Sequence, residues 1–415
     1  MDISSISDKE IARIYYTLNM RISQYQRSRP KNAMLLLSYL LPRSMEMPSF
    51  PDINKDWLKR AKRRYAASFI GGEFDRIPVD PMMLSHATVA CGHTIRDFYE
   101  RPELGAHCLA YVQEMYDLLP VTKYYFAHPW LPELGVKLKF MDKTAPVPVN
   151  TVVNSAEDVD KLHIPDMNEI EKGYTYTRLT NASAYIKEKL PDMFVPLAYC
   201  PEPVGSAAEL CGIEEFLMWT ETERELAKKL IDVYVETAIN GAEALAKAYG
   251  SALISTGSVL ENSDTMSPET IRDISPPALE KLVKGCLMKG AGPQVFYHFC
   301  GNRSLDYKLY VNDLVITPLT ILQMGYFDRD PFPAEIMKKE FGTRATIMPS
   351  VDTKLFVLPS QMKIYEQAKA QLLGGRDSKM GCILGTCCEV PPNSHPANIY
   401  SLVKAASDHG SYGSW

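Results

Sequence analysis

The sequence predicts an α/β protein: a (β/α)8 barrel of the TIM type with an N-terminal helical extension. Three observations carry this. From residue 76 onward, short apolar runs alternate with long amphipathic stretches, the pattern of strands and crossover helices in a parallel sheet. There are eight such runs, the number that closes this kind of barrel: RIPVDP (76–81), YYFAHP (124–129), MFVPLAY (193–199), ALIST (252–256), QVFYHFC (294–300), LVITPL (314–319), ATIMPS (345–350) and CILGTC (382–387). The 415 residues could hold two or three domains, but α/β barrels of this size run as one. The expected division is therefore an extension over 1–70 and a barrel over 71–415.

Taken in order, residues 1–70 are helical in pattern, interrupted by a proline-rich stretch from Pro42 to Pro51, and are expected to pack on the barrel. The segment LGVKLKFMDKTAPVPVNTVV (134–153) follows the second run and predicts an inserted hairpin. Residues 222–249 show apolar spacing of three and four, with Gly250 as the stop of the helix. Gly374-Gly375 reads as a C-cap turn before the last strand. Internal repeats, low-complexity tracts and phosphate-binding glycine loops are missing.

Composition narrows the class. Hydrophobic content of 46% and charged content of 23% suit a globular protein with a large core. A net charge of −5 argues against nucleic acid or an anionic membrane as partner. No run approaches the roughly 18 apolar residues that span a bilayer, and the polar start MDISSISDKEIARIYY does not read as a secretory signal. Nine scattered cysteines fit reduced thiols in a cytoplasm better than a disulfide framework. Cys91, Cys108, Cys200, Cys211, Cys286 and Cys382 lack ligand-like neighbours and read as core or helix residues.

The chemistry concentrates near the C-terminus. In a strand, residues two apart share a face, so His298 and Cys300 would project together with Phe299 turned away. Imidazole nitrogen and thiolate sulfur are preferred zinc ligands, and three protein ligands with one open position mark a catalytic site. The distant Cys387-Cys388 pair offers the third. On spacing alone, the same residues also read as core cysteines and a hydrogen-bonded core histidine. In a barrel, catalysis sits at the carboxyl ends of the strands. All four residues fall there, as do Tyr199 and Cys200 after the third run, Glu261 after the fourth and Asp352 after the seventh. Glu261 is a candidate fourth ligand or acid, and Asp352 a group that orients ligand or substrate. His86, His93 and His128 lie in loops near the first two strand ends.

From about residue 70 the chain resembles the uroporphyrinogen decarboxylase-like superfamily. The resemblance is carried by Asp75-Arg76-Ile77-Pro78-Val79, by Ser155-Ala156-Glu157-Asp158-Val159-Asp160-Lys161-Leu162, by Ser267-Pro268-Glu269, by Gly342-Thr343-Arg344-Ala345-Thr346-Ile347-Met348 with Val351-Asp352, and by Glu389-Val390-Pro391-Pro392-Asn393-Ser394 with Asn398-Ile399. Decarboxylases of this superfamily carry an arginine-rich loop after the first strand; here it reads Asp80-Pro81-Met82-Met83-Leu84-Ser85-His86, without arginine. The cobamide-dependent methyltransferase branch carries H-x-C on strand five and a Cys before the final Pro-Pro, matched by His298, Cys300 and Cys388. Cys388 directly precedes Glu-Val-Pro-Pro and is the better match, with Cys387 the fallback. Where the family has Gly-Asn before its Val-x-Asp, this chain has Pro349-Ser350.

The resemblance implies a zinc-dependent methyltransferase. The chain lacks a corrinoid-binding Asp-x-His-x-x-Gly motif, so the cobamide would belong to a separate corrinoid protein docking over the barrel mouth. A small methylated substrate and a second copy, as a homodimer, complete the expected partners. Met82, Met83, Tyr199, Tyr297 and Phe299 would wall the mouth, with Met82, Tyr199 and Tyr297 at the substrate. Such walls favour a methoxylated aromatic donor and hence O-demethylation. The alternatives are methylcobamide:thiol transfer of the coenzyme M type, a decarboxylase-type lyase, and a non-catalytic zinc- or corrinoid-binding protein.

Overall fold

The computed structural model describes residues 54–70 and 75–411. The Pro42–Pro51 interruption and the helical pattern before it lie outside the described residues.

Parallel pairing runs through Leu197–Tyr199, Leu253–Ser258, Val295–Asn302, Thr320–Phe327 and Thr346–Met348. These are barrel strands three to seven. Ser350–Val351 continues the seventh and pairs in parallel with Gly385–Thr386, the eighth. The first two positions are too short for a ladder and are held by single contacts. Val79 bridges Leu384 in parallel, Leu119 N–H donates to Val79 O at 3.1 Å, and Thr122 bridges Phe194 in parallel. These contacts complete the circuit of a (β/α)8 barrel. A buried ion pair, Lys123 Nζ to Asp80 Oδ2 at 2.7 Å, adds a polar tie between positions one and two.

The sixth strand departs from expectation. The apolar run LVITPL (314–319) is the approach to the strand, which begins at Thr320. Pro318 has no N–H to give a ladder. Thr317 N–H donates to Thr320 Oγ1 at 2.8 Å, turning the chain just before the sheet. Other elements follow the sequence closely. The hairpin pairs Leu138–Lys139 with Val147–Pro148 antiparallel. The helix Arg224–Tyr249 stops at Gly250, whose φ of +78° only glycine adopts freely. Ser267 caps the helix Pro268–Lys289, its hydroxyl accepting from Thr270 N–H at 3.1 Å.

Two apolar clusters divide the core. The larger lies between barrel and helices. The smaller fills the barrel with Val121, Tyr125, Leu197, Leu253, Phe296, Ile321, Met348 and Ile383. The helix Lys55–Ile70 contributes Tyr65 and Phe69 to this interior cluster. Gln294, at the amino end of the fifth strand, donates its amide to the Tyr65 hydroxyl. This helix therefore closes the amino-terminal end of the barrel. Arg64 anchors it, bonding Asp75 through Nε at 2.8 Å and Asp117 at 2.7 Å.

On strand four, Gly257 stands opposite His298 of strand five. A Cβ on Gly257 would lie 1.7 Å from the His298 carbonyl oxygen. Gly257→Ala must push the fifth strand aside. It is expected to destabilise the fold by about 1–3 kcal/mol, the usual cost of overpacking. A urea titration checks this; an unchanged midpoint would show that the strands separate freely.

Candidate metal centre

His298 and Cys300 face the barrel axis because their neighbours are committed elsewhere. Tyr297 and Phe299 are fully buried on the helix side, with ring centroids 5.9 Å apart and near-parallel planes. Phe299 meets Tyr310 at 4.6 Å, and the Tyr297 hydroxyl donates to Val315 O at 3.1 Å. Tyr297 was expected at the substrate and instead packs against the helix layer, because it alternates with His298 along the pleat.

Past Phe299 the pairing register slips before Asn302. Gly301 takes φ +72°, and a Cβ there would meet the Asn262 amide at 2.8 Å. Arg303 holds this irregular turn. It is fully buried, donating from Nε to Cys300 O at 2.7 Å, from its Nη atoms to Glu261 O at 2.7 Å and Ser258 O at 2.6 Å, and to Asp306 Oδ2 at 2.8 Å. Its role in fixing the Cys300 backbone was not read from the sequence, where it is one of many arginines.

Cys388 arrives just beyond Gly385–Thr386. Its Sγ lies 3.5 Å from Cys300 Sγ, and the ligand atoms of His298, Cys300 and Cys388 all fall within 4.8 Å of one another. Cys387 is fully buried, its backbone N–H bonded to Val351 O at 2.9 Å, and it is not in this cluster. The Cys388 thiol pulls the Cys300 thiol down to about 4 through their hydrogen bond, with His298 adding to the effect; the same bond, with burial, pushes Cys388 up.

The donor set fits zinc. Tetrahedral coordination at about 2.3 Å to sulfur and about 2.0 Å to nitrogen puts ligand atoms roughly 3.5–4 Å apart. The sulfur separation here is 3.5 Å. Three ligands leave one position open.

The remaining candidates sit around this cluster without joining it. Glu261 is fully buried, with Oε1 accepting from Ser275 Oγ at 2.7 Å and Oε2 without a hydrogen-bond partner. Its carboxylate lies outside the group of ligand atoms formed by His298, Cys300 and Cys388. Asp352 caps the turn Thr353–Val357 and accepts from the Tyr326 hydroxyl at 2.8 Å. Met82 and Tyr199 pack against the interior cluster, Tyr199 edge-on to Tyr125 at 4.7 Å. His86 bonds Pro392 O and the Tyr116 hydroxyl. His128 bonds Glu209 and Pro146 O, tying the hairpin down. His93 is exposed. Among the described residues, no helix is long and apolar enough to cross a membrane.

Glu202, just past the third strand, escaped the sequence reading; its only signal was a carboxylate directly following an apolar run. Its Oε2 accepts from Leu260 N–H at 2.8 Å. Burial, and then the neighbouring Glu261, push its carboxyl well above the usual range.

A model of the family described as Uroporphyrinogen decarboxylase (URO-D) matches residues 60–409. The chain belongs to the URO-D family. Within it, the chain is 26% identical over 227 residues to "Methylcobamide:CoM methyltransferase MtaA" of Methanosarcina barkeri (strain Fusaro / DSM 804), covering 54% of this chain and 61% of that protein. The match thus spans less than two thirds of that relative's length. It is 24% identical over 281 residues to "Methylated-thiol--coenzyme M methyltransferase" of Methanosarcina mazei, covering 66% and 68%. A solved methyltransferase from Methanosarcina mazei superposes with TM-score 0.68 at 20% identity, covering 84% of this chain and 98% of that one, which supports the barrel fold.

The raised pKa of Glu202 predicts a pH effect. The folded state holds a proton that the unfolded chain releases in the ordinary carboxylate range. Stability therefore falls as pH rises from that range toward the folded value. Glu202→Gln cannot ionise and should flatten the fall. Thermal unfolding from about pH 5 to about pH 8 checks this; parallel curves for the two proteins would refute it.

Proposed function

We propose that this URO-D family member is a corrinoid-dependent methyltransferase that holds zinc through His298, Cys300 and Cys388. Its methyl transfer runs between the cobalt of a separate corrinoid protein and a small thiol. The observation that carries this is the N/S/S cluster at the open end of the barrel. The thiol is favoured because both relatives act, by name, on coenzyme M or methylated thiols. The aryl-ether donor expected from the sequence depended on an aromatic mouth, and Tyr297 and Phe299 face the helices instead.

Zinc at this site would supply Lewis acidity and lower the pKa of a thiol at the open position. The methyl group moves as a cation equivalent to the thiolate sulfur, cobalt keeps the bonding electron pair, and the thiol proton passes to solvent. The protein's own groups prepare this. Cys388 and His298 favour the thiolate of Cys300, the form that binds metal. Arg303 fixes the Cys300 backbone. Burial and the neighbouring Glu261 disfavour ionisation of Glu202, which lessens the negative charge that an incoming thiolate would meet. Met82 and Tyr199 offer the apolar wall that remains.

Two measurements test the proposal. The purified protein should carry about one zinc per chain. His298→Ala, Cys300→Ala and Cys388→Ala should lose it, while Cys387→Ala keeps it. Full zinc in His298→Ala would remove the site. With methylcobalamin as methyl source, the chain should convert coenzyme M or another small thiol to its thioether while cob(I)alamin absorbance appears. If thiols give nothing while a methoxylated aromatic methylates cob(I)alamin, the aryl-ether donor replaces the thiol.

A further inference from the structure

Gln323 lies on the sixth strand in register with His298 and is 1% exposed. Its amide is held at both ends. Nε2 donates to Thr386 O at 2.9 Å and to Ser350 Oγ at 3.2 Å. Oε1 contacts His298 Nδ1.

The chemistry of the partners assigns the protons. The Thr386 carbonyl can only accept, so the amide nitrogen must face it and the amide oxygen must face the imidazole. That oxygen also only accepts, so His298 Nδ1 carries the hydrogen. Nε2 is left with its lone pair, the form a metal ligand requires. The same path continues to the second ligand strand, where Thr386 Oγ1 donates to Cys388 O at 2.8 Å.

We infer that Gln323 is a positioning residue that fixes the His298 tautomer and links it, through Thr386, to the Cys388 turn. Two ligands distant from one another in the sequence are thereby set against one another before metal arrives. This inference rests on the zinc assignment above. It deepens it by naming a neutral amide, rather than a carboxylate, as the partner of the histidine. An amide raises ligand basicity less than a carboxylate, leaving the ion more electron-poor for thiol activation.

The test is zinc affinity, measured by competition with a chromophoric chelator on the full chain. Gln323→Met keeps the volume but cannot accept from Nδ1–H. It should weaken zinc by about 10- to 100-fold, the usual cost of losing such a partner. Gln323→Glu restores the acceptor and should bind zinc more tightly than the Met variant. Met324→Ala, a buried neighbour on the helix side of the same strand, controls for general loosening and should leave affinity unchanged. Wild-type affinity in Gln323→Met overturns the inference, as does an equal loss in Met324→Ala. A wild-type protein that binds no zinc would overturn the metal assignment instead.

Discussion

The pleat of the Val295–Asn302 strand is the constraint on which the site depends. Side chains alternate faces, so the orientation of Tyr297 and Phe299 decides that of His298 and Cys300. The two aromatic rings are fully buried among helices, and burial of such a side chain is worth about 1.5–3 kcal/mol. A slip by one residue would bring both rings into the barrel and turn both ligands out. The candidate ligands themselves contribute little to this choice. They face inward because the register is pinned by apolar groups on the opposite side.

Electrostatics around the cluster point the same way. Burial pushes the carboxyls of Glu202, Glu261 and Glu389 above the ordinary range. Glu389 is steadied by Ser85, whose hydroxyl donates to it at 2.8 Å. Arg303, the nearby cation, is balanced by Asp306 and spends its donors on backbone carbonyls. Burial thus opposes ionisation of all three carboxyls.

Much of this was legible in the sequence because it is local. Runs of alternating or continuous apolar residues marked the strands, and the two-residue spacing of His298 and Cys300 placed them on one face. Cys388 was separable from Cys387 only by its place before Glu-Val-Pro-Pro, and the structure separates them by facing one toward Cys300 and burying the other. What local pattern could not show depends on register and distance. Gln323 matters because the fifth and sixth strands align it with His298, twenty-five positions away. The sixth strand itself was placed too early, because LVITPL is apolar enough for a strand while Pro318 and the Thr317–Thr320 turn keep it out of the sheet. Tyr297 was assigned to the mouth by composition, where the pleat sends it the other way.

The helix that stoppers the barrel with Tyr65 and Phe69 has a kinetic consequence. With that end filled, the way into the barrel is from the carboxyl ends of the strands, where His298, Cys300 and Cys388 stand. On the proposed function, a small thiol and a bulky corrinoid carrier would share that one doorway. The smaller reactant would then have to be seated before the larger one closes over it, and its product would leave only after the carrier lifts away. Order of addition, in such a vessel, is set by architecture rather than by affinity.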